Sequence, residues 1–250
     1  MQNSDIQAPF AIVGKIHYTS LKEGREQQER GREAFRIDIQ SNGSRTISAH
    51  GEIDDAPAIT RDVFSGLNAD LTPQDCFVRI SVGHEFKGSA WFTFDDDSCE
   101  CEALTSIEGR LSQKIKLAKK APAFGNHAMV NDGLLMSQYD LSKGPGTQVI
   151  KGLPLSSPDH RGATGPMLFV VDVAIEYVGK ETLSVTAGTF EALHFKIVDV
   201  PGLPLEHPEY HIWCTADGHY ILLKATVGGY MQTHYELTEL SFVPVGRSAS

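Results

Sequence analysis

The sequence is short of positive charge and of long apolar runs, and each shortage excludes a class of protein. Its 22 Lys and Arg face 32 Asp and Glu, which gives a formal net charge of −10. Duplex nucleic acid is bound through clustered Lys and Arg, so no nucleic-acid partner is expected. No stretch approaches the ~18 consecutive apolar residues of a membrane-spanning helix, so no membrane insertion is expected.

Cysteine is scarce as well, with four in 250 residues, which is too few for a disulfide framework. Cys99 and Cys101 are two apart in a predicted strand, and that spacing separates them by roughly 6.5–7 Å. A disulfide needs a closer approach, so we expect reduced, structural cysteines. The first residues, MQNSDIQAPF, have neither the basic start nor the apolar run of an export signal. The cytoplasm is therefore the expected location.

Familiar catalytic and cofactor motifs are also missing. The glycines do not form a GxGxxG dinucleotide loop or a GxxxxGK[ST] phosphate loop, and there is no GxSxG nucleophile elbow. His207 and His211 have the HxxxH spacing of a helical zinc site, but Pro208 and a predicted strand follow. On a strand this spacing separates the imidazoles by about 13 Å, too far for one zinc ion. We therefore expect no metal and no cofactor.

Alternation of apolar and polar residues dominates what is present. In AFRIDIQ, Phe35, Ile37 and Ile39 share one face, SNGS supplies a turn, and RTISAHGEI returns as the partner strand. Similar pairs recur to the end of the chain, with turns at DG and GG dipeptides that accept positive φ. Residues 57–64 are compatible with a short helix or with a further strand.

These patterns predict one all-β domain spanning residues 1–250, with at most a minor helix. Two antiparallel meanders, near 10–118 and 168–243, are expected to form an open or half-closed β-barrel. A barrel of this kind leaves edge strands, and an exposed edge allows a homodimer.

The segment between the halves, residues 119–167, contains seven Gly and five Pro and has no clear period. Such composition disfavours a long helix or a central strand. Irregular segments of this length are often binding loops or lids. Its apolar residues are compatible with a lid over the barrel mouth or with a plug inside it.

Candidate site residues come from this segment and from the polar strand faces. His127 with Asp132 is the candidate acid/base pair, since a carboxylate can orient an imidazole. Arg61 is a candidate anchor for a carboxylate or phenolate of a substrate. Four further substrate-binding candidates come from the second half: His194, His211, Tyr220 and His234. The histidines converge if their strand faces point inward, and they are merely solvated if those faces point outward.

The stretch from Ile175 to Leu240 carries a pattern of two parts. A strand runs into the turn Val185–Phe190 (VTAGTF), and a later strand and turn follow at Ile212–Gly218 (IWCTADG). This pattern resembles an uncharacterised bacterial β-barrel family that is grouped with the lipoprotein-carrier, LolA/LolB-like superfold. The resemblance implies an open or half-closed antiparallel barrel with an apolar interior. It implies no catalytic residues.

Two hypotheses about function follow. In the first, the barrel binds a small, largely apolar molecule, aromatic or isoprenoid, and acts on it as a cofactor-independent lyase, isomerase or hydratase. In the second, it is a non-catalytic binder or carrier of such a ligand. A small hydrophobic ligand is the expected partner in both cases.

Overall fold

The alternating segments form a single sheet of fourteen strands in the computed structural model, which describes residues 8–159, 162–203 and 206–245. In chain order they are β1 (Phe10–Ser20), β2 (Glu29–Ile39), β3 (Arg45–Ile53), β4 (Ile59–Leu67), β5 (Pro73–Val82), β6 (Glu85–Phe94), β7 (Ser98–Thr105), β8 (Gly109–Lys116), β9 (Gly146–Leu155), β10 (Phe169–Val185), β11 (Gly188–Asp199), β12 (Tyr210–Thr215), β13 (Leu222–Val227) and β14 (Thr233–Pro244).

The topology is two meanders that are joined through the first and the last strand of the chain. Strands β1 to β8 follow one another across one half of the sheet, and β14 back to β9 follow one another across the other half. An antiparallel pairing of β1 with β14 joins the halves, which leaves β8 and β9 as the two edges. The predicted fold class, an antiparallel barrel-like sheet that is not closed, is confirmed.

Strand alternation places the core on one face of this sheet. In the hairpin of β2 and β3, Ile37 lies opposite Ile47, and both are buried. The stretch that allowed a helix or a strand is a strand, β4, in which Val63 is buried while Phe64 points outward. Because the sheet curls around its apolar face, that face becomes the interior of the molecule.

A side chain bridges part of the gap that the backbone leaves open. The Gln113 amide of edge strand β8 donates to the Leu168 carbonyl at 3.2 Å, and its oxygen accepts from the Leu168 N–H at 2.8 Å. The amide thus pairs with the chain just before β10 as a peptide group would. Nearby, Gly88 leaves room for Pro166, whose Cδ would be 2.5 Å from a Cβ at position 88.

The middle segment is not irregular throughout. It contains a seven-residue helix, α1 (Met129–Leu135), two 3-10 turns (Met136–Gln138 and Leu141–Lys143), and the edge strand β9. In α1 a Cβ on Gly133 would lie 2.4 Å from the Tyr220 carbonyl oxygen, so only glycine allows the helix to approach the chain before β13 this closely.

The same segment fills the interior more than it covers an entrance. Val130, Leu134, Met136 and Tyr139 belong to the one large core cluster, together with the inward residues of the strands. The alternative of a plug therefore describes residues 121–139 better than a lid does. Burial of these apolar side chains explains why so glycine-rich a stretch stays inside the sheet.

The remaining expectations concern cysteines and membrane segments. All four cysteines are buried and carry free thiols, in line with a structural role. In the ranges that the structure describes, no helix is long and apolar enough to cross a bilayer.

Candidate functional site

A buried carboxyl group receives the start of α1. Glu33 projects inward from β2 and is 2% exposed. Its Oε2 accepts from the Met129 N–H at 2.8 Å and its Oε1 from the Val130 N–H at 2.9 Å. These are two of the N–H groups that a helix leaves without an internal partner. Burial raises the pKa of Glu33 to about 7, although the two amides oppose this shift.

Glu33 was not among the predicted site residues, although the sequence carried a signal for it. It has the same parity on β2 as Phe35 and Ile37, which line the core. A charged residue at an inward position needs a hydrogen-bonding partner in the interior. That partner is a helix start nearly one hundred residues away in the chain, which no local pattern reveals.

A second inward carboxyl group, that of the half-buried Asp132, belongs to α1 itself. The Tyr210 hydroxyl donates to Oδ2 of Asp132 at 2.6 Å. Burial raises the pKa of Asp132 to about 6, and the Tyr210 hydroxyl acts in the opposite direction. The pKa of Tyr210 is raised well above its ordinary value by burial first and by Asp132 second. The hydrogen-bonding partner of Asp132 is thus a tyrosine of β12, where the sequence had suggested His127.

Arg61 holds two chain segments together beside these acids. Its Nη1 donates to the His127 carbonyl oxygen at 2.7 Å and its Nη2 to the Gly162 carbonyl oxygen at 2.9 Å. Burial lowers the pKa of Arg61, and its charge in turn lowers the pKa values of Glu33 and Asp132. The guanidinium of this predicted substrate anchor is thus bonded to backbone carbonyl oxygens.

His127 lies just before α1 in a left-handed conformation, with φ of 62°. A Cβ on Gly162 would lie 2.6 Å from Cγ of His127, so the 162 backbone packs directly on the imidazole. Non-glycine residues adopt this conformation infrequently, and such positions concentrate at binding sites. The histidine is therefore positioned by its backbone and by close packing.

Two small cavities adjoin this group of residues. The first has a volume of about 80 Å³ and a polar, aromatic wall that includes Tyr18, Arg61 and Tyr235. The second has a volume of about 100 Å³ and a mostly aliphatic wall that includes Leu153, Val173 and Ile197. Four residues line both cavities: His127, Asp132, His207 and Tyr210.

The tyrosines of the first cavity are held by one another and by the acids. The rings of Tyr18 and Tyr235 meet edge to face with centroids 4.9 Å apart. The Tyr18 hydroxyl lies 3.4 Å from Oε2 of Glu33. Burial raises the pKa of Tyr235 to about 12, so its hydroxyl stays protonated at neutral pH. The first cavity therefore offers neutral hydroxyl groups beside the Asp132 carboxyl group, and one of these hydroxyl groups, that of Tyr18, contacts Glu33.

The histidine candidates from the second half lie on the outer face. His194, His211 and His234 alternate with the buried residues of β11, β12 and β14. The outward alternative of the sequence analysis thus applies, and convergence with His127 and Asp132 does not occur. Tyr220 packs beside α1 with φ of 55° and does not line either cavity.

On the outer face two of these histidines form a cluster with Trp213. Nε2 of His194 and Nδ1 of His211 are 2.9 Å apart, and the His194 ring stacks on the indole with centroids 4.0 Å apart. Burial first, and then the neighbouring His211, lower the pKa of His194 to about 4. Across residues 8–159, 162–203 and 206–245, no three His, Cys, Asp or Glu side chains are grouped in a way that could hold a metal ion.

Comparisons with known proteins place the fold. No family model matches the chain, and no curated protein matches it. Its structure is similar to a crystal structure from Brucella abortus described as a β-barrel-like protein of the domain of unknown function DUF1849. The TM-score is 0.60 at 11% sequence identity, over 94% of this chain and 97% of that chain. At this identity the likeness shows the fold alone.

Two other solved structures are more distant. A putative exported protein with a YmcC-like fold from Bacteroides fragilis gives a TM-score of 0.38 at 8% identity, over 94% of this chain and 100% of that chain. A putative lipoprotein from Parabacteroides distasonis gives 0.35 at 10% identity, over 92% and 95%. The likeness to an uncharacterised β-barrel-like fold rests on the Brucella abortus structure, and the LolA/LolB-like grouping stays a prediction.

Proposed function

We propose that the protein binds a small, largely apolar molecule with one polar group, in the two adjoining cavities beside α1. The observation that most supports this proposal is that both cavities are lined by the same four residues: His127, Asp132, His207 and Tyr210. One side of this shared wall is hydroxyl-rich and the other is aliphatic. A ligand in the aliphatic cavity would place its apolar body among the aliphatic residues and its polar group against the Asp132–Tyr210 pair of the shared wall.

The size of the cavities supports a ligand of about one ring. An enclosed apolar cavity of ~150 Å³ accommodates benzene, and the two spaces here measure about 80 and about 100 Å³. The aliphatic space is bounded by Leu153, Val173 and Ile197, which are at most 8% exposed. Filling it with apolar atoms recovers dispersion contacts that an empty space forgoes.

A pair of matched probes tests this proposal. We expect 4-propylphenol to bind saturably, because its hydroxyl can reach the Asp132–Tyr210 pair while its chain enters the aliphatic space. Propylbenzene lacks the hydroxyl and should bind more weakly. The measurement is chemical-shift titration by NMR, with isothermal calorimetry for affinity.

Two variants locate the binding. Val173→Phe fills the aliphatic space and should remove binding of 4-propylphenol. Val78→Ile enlarges a core residue on β5 that lines neither cavity and should leave the affinity within about twofold. Circular dichroism confirms folding, since overpacking costs ~1–3 kcal/mol. Absence of saturable binding to the wild type, or binding that survives Val173→Phe, would contradict the proposal.

Acid–base catalysis on the bound molecule is a second candidate, and one observation favours it. Asp132 lies half-buried in the cavity wall with a pKa of about 6, which suits proton transfer near neutral pH. In this candidate Asp132 takes and returns a proton of the substrate, Tyr210 orients the carboxyl group, and His127 lies within the same wall.

Deuterium exchange tests the catalytic candidate without a known substrate. Small apolar ketones are incubated in D₂O with the protein, and incorporation of deuterium next to the carbonyl group is followed by NMR. Incorporation that Asp132→Asn or His127→Ala abolishes, in variants that still bind 4-propylphenol, would favour an enzyme. If the wild-type protein shows no deuterium exchange and both variants keep their affinity for 4-propylphenol, the result would favour a carrier.

A further inference from the structure

Three aromatic side chains form an exposed row on the outer face of the first meander. Phe64 on β4 is paired directly with Phe77 on β5, and Phe77 is paired with Trp91 on β6. They are 54%, 38% and 55% exposed, respectively. Adjacent strands lie ~4.8 Å apart, so the row extends over roughly 10 Å across the strands. Large aromatic side chains are seldom left in water side by side without a binding role.

An open cleft continues the same row across the neighbouring strands. It has a volume of about 410 Å³ and reaches from Phe64 over Ser48 and Arg36 to Val13. These four residues follow one another by direct strand pairing, from β4 through β3 and β2 to β1. Cleft and aromatic row therefore form one track that crosses six strands at right angles, from Val13 to Trp91.

Paired charges of both signs border the track. Lys15 bonds Glu239 at 2.9 Å, and His50 bonds Asp62 at 2.7 Å. Arg36 bonds Asp38 at 2.6 Å within β2. Such pairs present hydrogen-bond donors and acceptors side by side at the surface, with little net charge.

We infer that this track binds an extended, neutral oligosaccharide chain. The hydrogen-bearing faces of sugar rings pack on exposed aromatic side chains, and their vicinal hydroxyl groups both donate and accept hydrogen bonds. The track offers both kinds of contact along its length. Its aromatic row provides the stacking surface, and the paired carboxylate, imidazole and guanidinium groups provide the hydrogen bonds. The site is separate from the interior cavities and does not depend on the function proposed for them.

Charge and shape argue against other occupants. Asp62, Asp75 and Glu102 lie beside the aromatic row by strand register, on a chain of net charge −10. Arg79 is paired with Asp62 and brings positive charge to the same surface. The charges are therefore mixed, whereas nucleic acid and anionic membranes are bound through clustered positive charge. Across the strands the outer face is the convex side of the curled sheet, which limits the area that a second copy of this face could bury against it.

Two soluble polymers and their short fragments serve as probes. Native affinity electrophoresis in hydroxyethylcellulose and in glycol chitin should retard the wild-type protein. Titration with cellohexaose or chitohexaose should shift the fluorescence of Trp91, measured in a Trp213→Phe background because the chain has two tryptophans. We expect Trp91→Ala and Phe64→Ala each to weaken the binding of at least one polymer tenfold or more.

A matched control is available on the opposite half of the sheet. Phe242 is 54% exposed, as Phe64 is, and it does not line the cleft. Phe242→Ala should leave retardation within twofold of the wild type. No retardation by either polymer, or equal effects of Phe64→Ala and Phe242→Ala, would overturn the inference. A dimer seen in sedimentation experiments would also overturn it if Trp91→Ala abolished the dimer. Binding to anionic phosphatidylglycerol vesicles would do the same if Trp91→Ala abolished that binding.

Discussion

The two faces of the sheet hold similar kinds of polar residues and treat them differently. On the inner face, Glu33 is buried and Asp132 is half-buried, each with a specific hydrogen-bonding partner and a pKa raised by desolvation. On the outer face, His50, Glu52 and Asp62 form exposed pairs near water. Solvent screens such exposed pairs, and their individual contribution to stability is small.

This difference between the faces indicates that the polar residues of the inner face, and not those of the outer face, determine the structure. The inner acids connect the strands to α1, so that removing one leaves buried donors without acceptors. The outer groups can exchange a protein partner for water at little cost. Single substitutions on the inner face should therefore lower the stability of the protein, whereas single substitutions on the outer face should chiefly change binding.

Loss of the Glu33 carboxylate should have the largest effect. Glu33→Ala leaves the N–H groups of Met129 and Val130 buried without their acceptors. We expect the free energy of unfolding to fall by about 3–5 kcal/mol, as for other broken buried polar contacts. Urea denaturation measures it. The control is Glu102→Ala on the outer face, whose exposed bond to Ser112 should cost no more than about 0.5 kcal/mol.

The pH dependence of stability should separate the inner acids from the rest of the chain. Glu33 has a pKa of about 7 in the folded state against an ordinary 4.5, so folding favours its protonated form. Its contribution to stability is fully present below pH 4.5 and is lost as pH rises through 7. At ~1.4 kcal/mol per pKa unit, the loss is about 3–4 kcal/mol.

Variants that cannot ionise isolate this contribution. Glu33→Gln should remove the part of the decline that extends to pH 7, and Asp132→Asn the part that ends near pH 6. Unfolding free energies measured from pH 4 to pH 8 give the difference between each variant and the wild type. A constant difference across that range would show that the acids do not titrate as their burial implies.

The strands were predictable because period two is a local signal. The hairpin of β2 and β3 follows from alternation and from the turn residues alone. The face on which each side chain lies follows too, once a single apolar residue such as Ile37 fixes the register. Even the anomaly of Glu33 was visible as a charge at an inward position.

The site was less predictable because its members meet across long stretches of chain. Asp132 and Tyr210 are 78 residues apart, on a short helix and a strand that no sequence period connects. The seven-residue helix α1 contains a glycine and is too short to show a helical period clearly. Its position inside the sheet depends on the space that the strands leave, which is a property of the whole fold.

A smaller effect is expected at the pair formed by Asp132 and Tyr210. Tyr210→Phe removes the hydroxyl that donates to the carboxyl group at 2.6 Å. Stability should fall by about 1–2 kcal/mol. The pKa of Asp132 should rise further above 6, because in the wild type the Tyr210 hydroxyl opposes the effect of burial. NMR titration of the carboxyl carbon measures the pKa. The double variant with Asp132→Asn should show less than the sum of the two single losses.

The smallest effect on stability is expected at the outer histidine cluster. His211→Ala removes one cause of the low pKa of His194, so that value should rise from about 4 towards 6.5. Burial against Trp213 remains as the larger cause, which should keep the pKa below 6.5. Imidazole proton shifts report this directly. The unfolding free energy should change by less than about 1 kcal/mol, because these side chains are partly solvated. A loss as large as that from Glu33→Ala would mean that the outer face fixes the fold as firmly as the inner one, and the contrast between the two faces would then disappear.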